Sequence, residues 1–97
     1  MKIGQSIKHI RKTKSKQNQL DFAQSIGITQ AYLSRIENDH CKPTLDVLER
    51  VSDHCGVPMS IVLWFGVVED DIHEDKRQMF NVLKPTIDGM MDQIIKN

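Results

Sequence analysis

Two His–Cys pairs, His40-Cys41 and His54-Cys55, are the residues of this 97-residue chain whose types first suggest chemistry, because two imidazoles and two thiolates can hold a tetrahedral zinc ion. Their spacing argues against it. Adjacent residues on a helix point about 100° apart, and Cys55 falls where a buried thiol acts as a small hydrophobe. No metal site is expected. Nor is there a Ser-His-Asp spacing, a phosphate-binding loop or a metalloprotease motif, and His9 and His73 stand in polar surroundings, so neither catalytic residue nor cofactor is expected. The chemistry that remains is electrostatic. The net charge is zero, yet residues 1–42 carry Lys2, Lys8, Arg11, Lys12, Lys14, Lys16, Arg35 and Lys42 against Asp21, Glu37 and Asp39, a net of +5 that the remainder balances at −5. A basic half gains affinity for DNA by releasing condensed counterions, and the acidic half then faces away. Solvated charge that binds nothing is the competing reading.

Those side chains must be positioned by one small fold. Ninety-seven residues, 39% hydrophobic and 27% charged, fit one compact domain with a short appendage and favour neither disorder nor a membrane fold. The longest apolar stretch, residues 61–68, is far below the ~20 residues that span a bilayer. The opening MKIGQSIKHIRK has no signal-peptide pattern, so a cytoplasmic protein with Cys41 and Cys55 as reduced thiols is expected.

Helical periodicity organises the chain. Ile3, Ile7 and Ile10 share one face of a first helix that ends in the polar KTKSKQ turn. Asn18 caps a second helix with Phe22, Ala23 and Ile26 inward, and Gly27 ends it. Thr29 caps a third, with Leu33 and Ile36 inward and Gln30, Ala31, Ser34 and Arg35 outward or at its leading end; residues 39–43 stop it. Thr44 caps a fourth that runs on Leu45, Leu48, Val51 and Cys55 to Gly56, and Pro58 opens a fifth, PMSIVLWFG, that is apolar almost all round. An acidic linker, VEDDIHED, follows. In the tail Phe80, Leu83, Ile87, Met90 and Ile94 recur at intervals of three and four as a heptad seam, interrupted by Pro85, which kinks the helix, splits it or starts a new one. The seam is expected to oligomerise; packing back on its own domain is the alternative.

A helix closed by Gly27, a short turn and a second helix is the geometry that lays the second helix in the major groove. FAQSIGITQAYLSRIEN followed by PTLDVLERVSDHCGVP resembles the Cro and phage-repressor type of helix-turn-helix protein, also called the xenobiotic-response-element type, over about residues 3–67. Residues 19–23, Gly27, Ile36-Glu37-Asn38 and Pro43-Thr44-Leu45 fall at that family's spacing. Four departures are visible. The turn at residues 12–18 is one residue longer than usual and lacks the common glycine, Leu20 replaces an exposed acid, Asp39 replaces a glycine, and Cys55 replaces a core leucine.

The resemblance implies an all-α, five-helix bundle whose second and third helices form the reader, with a C-terminal helical extension. The boundary is placed between 1–68, the DNA-binding domain, and 69–97, linker and amphipathic helix. It further implies a scaffold bridge between Arg11 and Glu37, base contacts from Gln30, Ala31, Tyr32 and Arg35, and backbone contacts from Gln19, Asn38, and Ser34 or Lys42. Glutamine pairs with adenine N6 and N7, arginine with guanine O6 and N7, and alanine packs on a thymine methyl; Tyr32 has a phosphate or Pro43 as other partners. The expected protein is a homodimeric transcriptional regulator, acting in repression on a palindromic operator of double-stranded DNA, with Trp64, Phe65, Phe80, Leu83 and Ile87 at the dimer interface. The competing class is an antitoxin-like module that binds a small protein partner as well as DNA.

Overall fold

Where each central helix begins is decided by one side chain. α2 (Gln19–Ile26), α3 (Gln30–Glu37) and α4 (Leu45–Cys55) start after Asn18, Thr29 and Thr44, and each of these sits in extended backbone and accepts a hydrogen bond from the amide three residues on, satisfying a donor the helix leaves free. Gly27 closes α2 at φ 75°, a left-handed conformation that a Cβ would strain, and so turns the chain directly into α3. The computed structural model describes residues 1–96, which contain no strand. α1 (Ile3–Ile10) precedes this trio and α5 (Met59–Phe65) follows it, and two short 3-10 turns, Glu69–Asp71 and Glu74–Lys76, lead to α6 (Arg77–Ile95). None of these helices is long and apolar enough to cross a membrane.

The apolar faces meet in one core of Ile7, Ile10, Phe22, Ala23, Ile26, Leu33, Ile36, Val47, Leu48, Val51, Cys55, Val57 and Val62. α1 packs on α3 and α5, α2 on α3 and α4, and α4 on α5. Two contacts let α1 lie so close. Ser6, fully buried, donates its hydroxyl to the Val62 carbonyl of α5. Gly4 has no side chain, and a methyl group there would overlap the Ile36 carbonyl oxygen at the end of α3. The expected inward face of α4 is corrected at one position: Leu45 is 66% exposed and Val47 takes its place inside, because Leu45 is the first residue of the helix and lies ahead of the core.

The long turn after α1 has a physical form. Arg11–Ser15 is a π-turn, closed by the Lys16 amide donating to the Arg11 carbonyl five residues back at 2.7 Å, a wider ring than that of an α-helical turn. Lys16 ends it at φ 57°, and Asp39 ends α3 at φ 58°, both left-handed without glycine.

α6 runs unbroken through Pro85 from Arg77 to Ile95 and lies back against the domain. Ile95 is 4% exposed and joins the core. Trp64 Nε1 donates to Asp88 at 2.8 Å, the Lys84 ammonium lies 4.6 Å from the Trp64 ring centre, and His9 meets Asp92 at 2.7 Å. The seam expected along this helix therefore divides: Phe80 and Ile87 are half-buried, whereas Leu83, Met90 and Ile94 are exposed.

The two thiols differ in kind. Cys41 is half-buried in a loop, whereas burial pushes the Cys55 thiol up to about 11, against a lesser opposing pull from the Lys14 charge. At pH 8 a maleimide should label Cys41 in the folded protein and reach Cys55 only in denaturant, because the thiolate is the reactive form. Cys55→Ser should lower stability by about 1–3 kcal/mol in a urea titration, since it places a hydroxyl in an apolar site.

Candidate nucleic-acid interface

The outward face of α3 depends on what holds its inward face. Leu33 and Ile36 are fully buried, and Glu37, only 3% exposed, anchors the end of the helix. Arg11 Nε donates to Glu37 Oε2 at 2.8 Å and Arg11 Nη2 to Oε1 at 2.9 Å, a bidentate fork, while Nη1 donates to the Gln17 carbonyl at 2.9 Å. Gln19 Nε2 adds a bond to Glu37 Oε1 at 3.0 Å. The expected Arg11–Glu37 bridge is thus present. It fastens α3 to the end of α1 and to both sides of the α2 N-cap.

With that face held, Gln30, Ala31, Ser34 and Arg35 recur at i, i+1, i+4 and i+5 and share the opposite side. Gln30, Ala31 and Arg35 are exposed, and among the described residues no hydrogen bond or ion pair engages the side chains of Gln30 or Arg35. Tyr32 is half-buried and packs against the core at the edge of this face. Asn38, exposed at the end of α3, donates from Nδ2 to the Ser34 carbonyl at 2.9 Å, and Ser34 is half-buried. Lys42 is exposed in the loop before α4. Gln19 is half-buried, and one amide hydrogen goes to Glu37, leaving a second donor on the same nitrogen. The residues expected at base edges and at phosphates therefore lie on α3, its following loop and the first turn of α2.

The residues expected at a dimer interface fall elsewhere. Trp64, Phe65, Phe80 and Ile87 are half-buried by their own chain, with the Trp64 and Phe80 rings 6.3 Å apart and Phe65 4.7 Å from the His9 ring; Leu83 is exposed. His54 and Cys55 are occupied too. His54 Nε2 lies 2.8 Å from Gln17 Oε1, its ring stands edge-on to Phe22, and Cys55 is in the core. Among the described residues no three His, Cys, Asp or Glu side chains gather as a metal site.

Two residues that hold this interface carry no sequence signal of their own. Gln17 acts through its backbone carbonyl, which any residue has, and Gly4 acts through the absence of a side chain opposite a residue distant in the chain.

Comparison with known proteins adds three findings. The helix-turn-helix family pattern matches residues 7–62. The chain is 32% identical over 81 residues to the immunity repressor protein of Bacillus phage phi105, an alignment that takes in 84% of this chain and 53% of the relative, so the chain spans about half of that relative's length. No solved structure gives a significant match.

Because the Arg11 guanidinium and Glu37 carboxylate are both buried, removing one strands the other. Glu37→Ala should cost about 3–5 kcal/mol in chemical denaturation, whereas the joint replacement Arg11→Met with Glu37→Leu should recover most of it. Near-equal stabilities for Glu37→Ala and the unmodified chain would mean that the fork does not hold α3.

Proposed function

The chain belongs to the helix-turn-helix family, and on that premise we propose that it binds double-stranded DNA sequence-selectively as a homodimer and regulates transcription by repression. One observation carries this reading: α3 is locked from within by Leu33, Ile36 and the Arg11–Glu37 fork, while Gln30 and Arg35 stand outward with no protein partner among the described residues. Unpaired polar groups on a rigid helix are donors and acceptors free to meet base edges. Arg35 offers the fork that fits guanine O6 and N7, Gln30 offers the amide that fits adenine N6 and N7, and Ala31 fits a thymine methyl, with Tyr32 bordering them. Asn38, Ser34, Lys42, the remaining donor of Gln19 and the free amides at the start of α2 supply phosphate contacts, which set register.

Repression rather than activation takes its support from the name of the phi105 protein, an immunity repressor. A two-fold dimer places its two copies of α3 about 34 Å apart, one turn of DNA, and selects a palindrome with half-sites about 10 base pairs apart. Net positive charge in residues 1–42 favours that encounter. Such a protein works in the cytoplasm, by binding, without a catalytic group or cofactor.

Selection of duplexes from a random pool tests the reading and should return a palindrome. Arg35→Ala should then weaken binding to it by about 1–3 kcal/mol and relax preference at one base pair of each half-site. Equal weakening on every sequence would remove Arg35 from base reading. Lys42→Ala should weaken all sequences alike and reduce the slope of log affinity against log salt by about 0.9, the share of one phosphate; an unchanged slope would count against its contact.

A further inference from the structure

α6 has its charges on the wrong side for a helix on the surface of a lone domain. Between Arg77 and Ile95 its charged residues are Arg77, Lys84, Asp88 and Asp92. All four are tied to their own chain: Arg77 to the Glu69 and Ile72 carbonyls, Lys84 to Asp88 and the Trp64 carbonyl, Asp88 to Trp64, and Asp92 to His9. The opposite side carries Met79, Val82, Leu83, Met90 and Ile94, which are 48–69% exposed, together with Thr86 and Gln93 and no charge at all. Met79, Leu83, Thr86, Met90 and Gln93 recur at intervals of four, three, four and three, a heptad seam, with Val82 and Ile94 widening it. At its first turns the seam is continuous with a mainly apolar groove of about 230 Å³ that Met79 and Leu83 share with Trp64, Ile72, Phe80 and Ile87, with Lys76 and Lys84 also in its lining.

We infer that this outer face of α6 is where a second copy of the chain docks, face against the same face, so that the dimer of the proposed function, on which this inference rests, is made by Met79, Val82, Leu83, Met90 and Ile94 rather than by the aromatic residues turned inward. Charge selects the occupant. A two-fold interface sets each patch against itself, so like charges would repel there, and this face has none. DNA and an anionic membrane surface both call for lysine and arginine, which the outer stripe itself lacks; Lys76 and Lys84 are confined to the groove at its first turns, and Lys84 is held by Asp88. The acidic residues Glu69, Asp70, Glu74 and Asp75, just ahead of α6, oppose both as well. Area agrees. Five side chains of this size, half to two-thirds exposed, present on the order of 500 Å² per copy, and two copies would bury on the order of 1,000 Å², the lower bound for a specific interface. Thr86 lies midway along the seam and is small, and Gly89 has open space around it, so neither obstructs a second helix. In a two-fold pair centred on the seam, each Thr86 faces its own copy, whether the helices run parallel or antiparallel.

The full chain tests this by sedimentation from about 1 to 100 micromolar together with a cross-link. Unmodified protein should be dimeric in the micromolar range, and Leu83→Glu with Met90→Glu should raise the dimer dissociation constant at least ~100-fold, while circular dichroism, and the unfolding midpoint read at concentrations where both proteins are monomeric, stay near their starting values. Thr86→Cys should form a disulfide-linked dimer on mild oxidation, and Glu49→Cys, exposed on α4, should not. A double variant that stays folded and dimerises as tightly as before, or a Thr86→Cys protein that cross-links no better than Glu49→Cys, would overturn the assignment of the face and leave the dimer itself standing. Unmodified protein that remains monomeric at 100 micromolar would overturn the assignment and the proposed dimer together, with the base-reading role of Arg35 judged separately by the selected duplexes.

Discussion

The bidentate fork between Arg11 and Glu37 is the interaction on which the arrangement of α1, α2 and α3 depends. Its three guanidinium nitrogens and two carboxylate oxygens reach the end of α1, the Gln17 carbonyl ahead of α2, the Gln19 amide in the first turn of α2 and the last residue of α3. Burying such a pair gains little net stability over a hydrophobic pair of similar volume, because both ions lose their hydration. Directionality is what it supplies. A leucine–methionine contact tolerates sliding and rotation, whereas five hydrogen-bonding atoms in fixed planes set the rotation of α3 about its axis, and that rotation decides which residues face outward. The π-turn follows from the same requirement. It widens the backbone at Arg11–Ser15, just ahead of Gln17, whose carbonyl accepts from Arg11 Nη1.

α6 shows the opposite division of labour. A helix added to a domain whose core is already filled normally buries its apolar side and offers charge to water. Here Lys84, Asp88 and Asp92 face the domain, where Trp64 and His9 supply partners, and Ile95 closes the core at the far end. The chain thus keeps two separate surfaces. A polar one, carrying Arg35 and Lys42, is built on α3 and the loop after it, and an uncharged, apolar one on the outer side of α6. Acidic residues 69–75 lie between these segments in the chain.

Local signals were legible in the sequence because their causes are local. The caps at Asn18, Thr29 and Thr44, the left-handed Gly27, and the inward positions of Ile7, Ile10, Leu33 and Ile36 need only neighbouring residues, and each stands as the pattern implies. The outward face of α3 was legible for the same reason, since it is what remains once Leu33 and Ile36 turn in. Contacts across the chain were not. Gly4 matters through Ile36, and Gln17 through Arg11, and neither pairing leaves a mark on residue type. In α6 a mark existed but was ambiguous. Phe80, Leu83, Ile87, Met90 and Ile94 form an acceptable seam by spacing, while Lys84, Asp88 and Asp92, spaced by four, point to the side on which Phe80 and Ile87 lie. Two apolar stripes on one helix cannot be ranked by periodicity alone; the partners at Trp64 and His9 decide between them.

The central claim is that the face of α3 held outward by the Arg11–Glu37 fork is the surface that meets DNA. Amide chemical-shift mapping of the full chain during titration with a selected duplex tests it most directly. The account predicts the largest changes at Gln30, Ala31, Ser34 and Arg35, with further changes at Gln19, Asn38 and Lys42 and none of comparable size along Met79, Leu83 and Met90 beyond those of the dimer itself. Changes concentrated on α6 or the acidic residues 69–75, with α3 unperturbed, would contradict it.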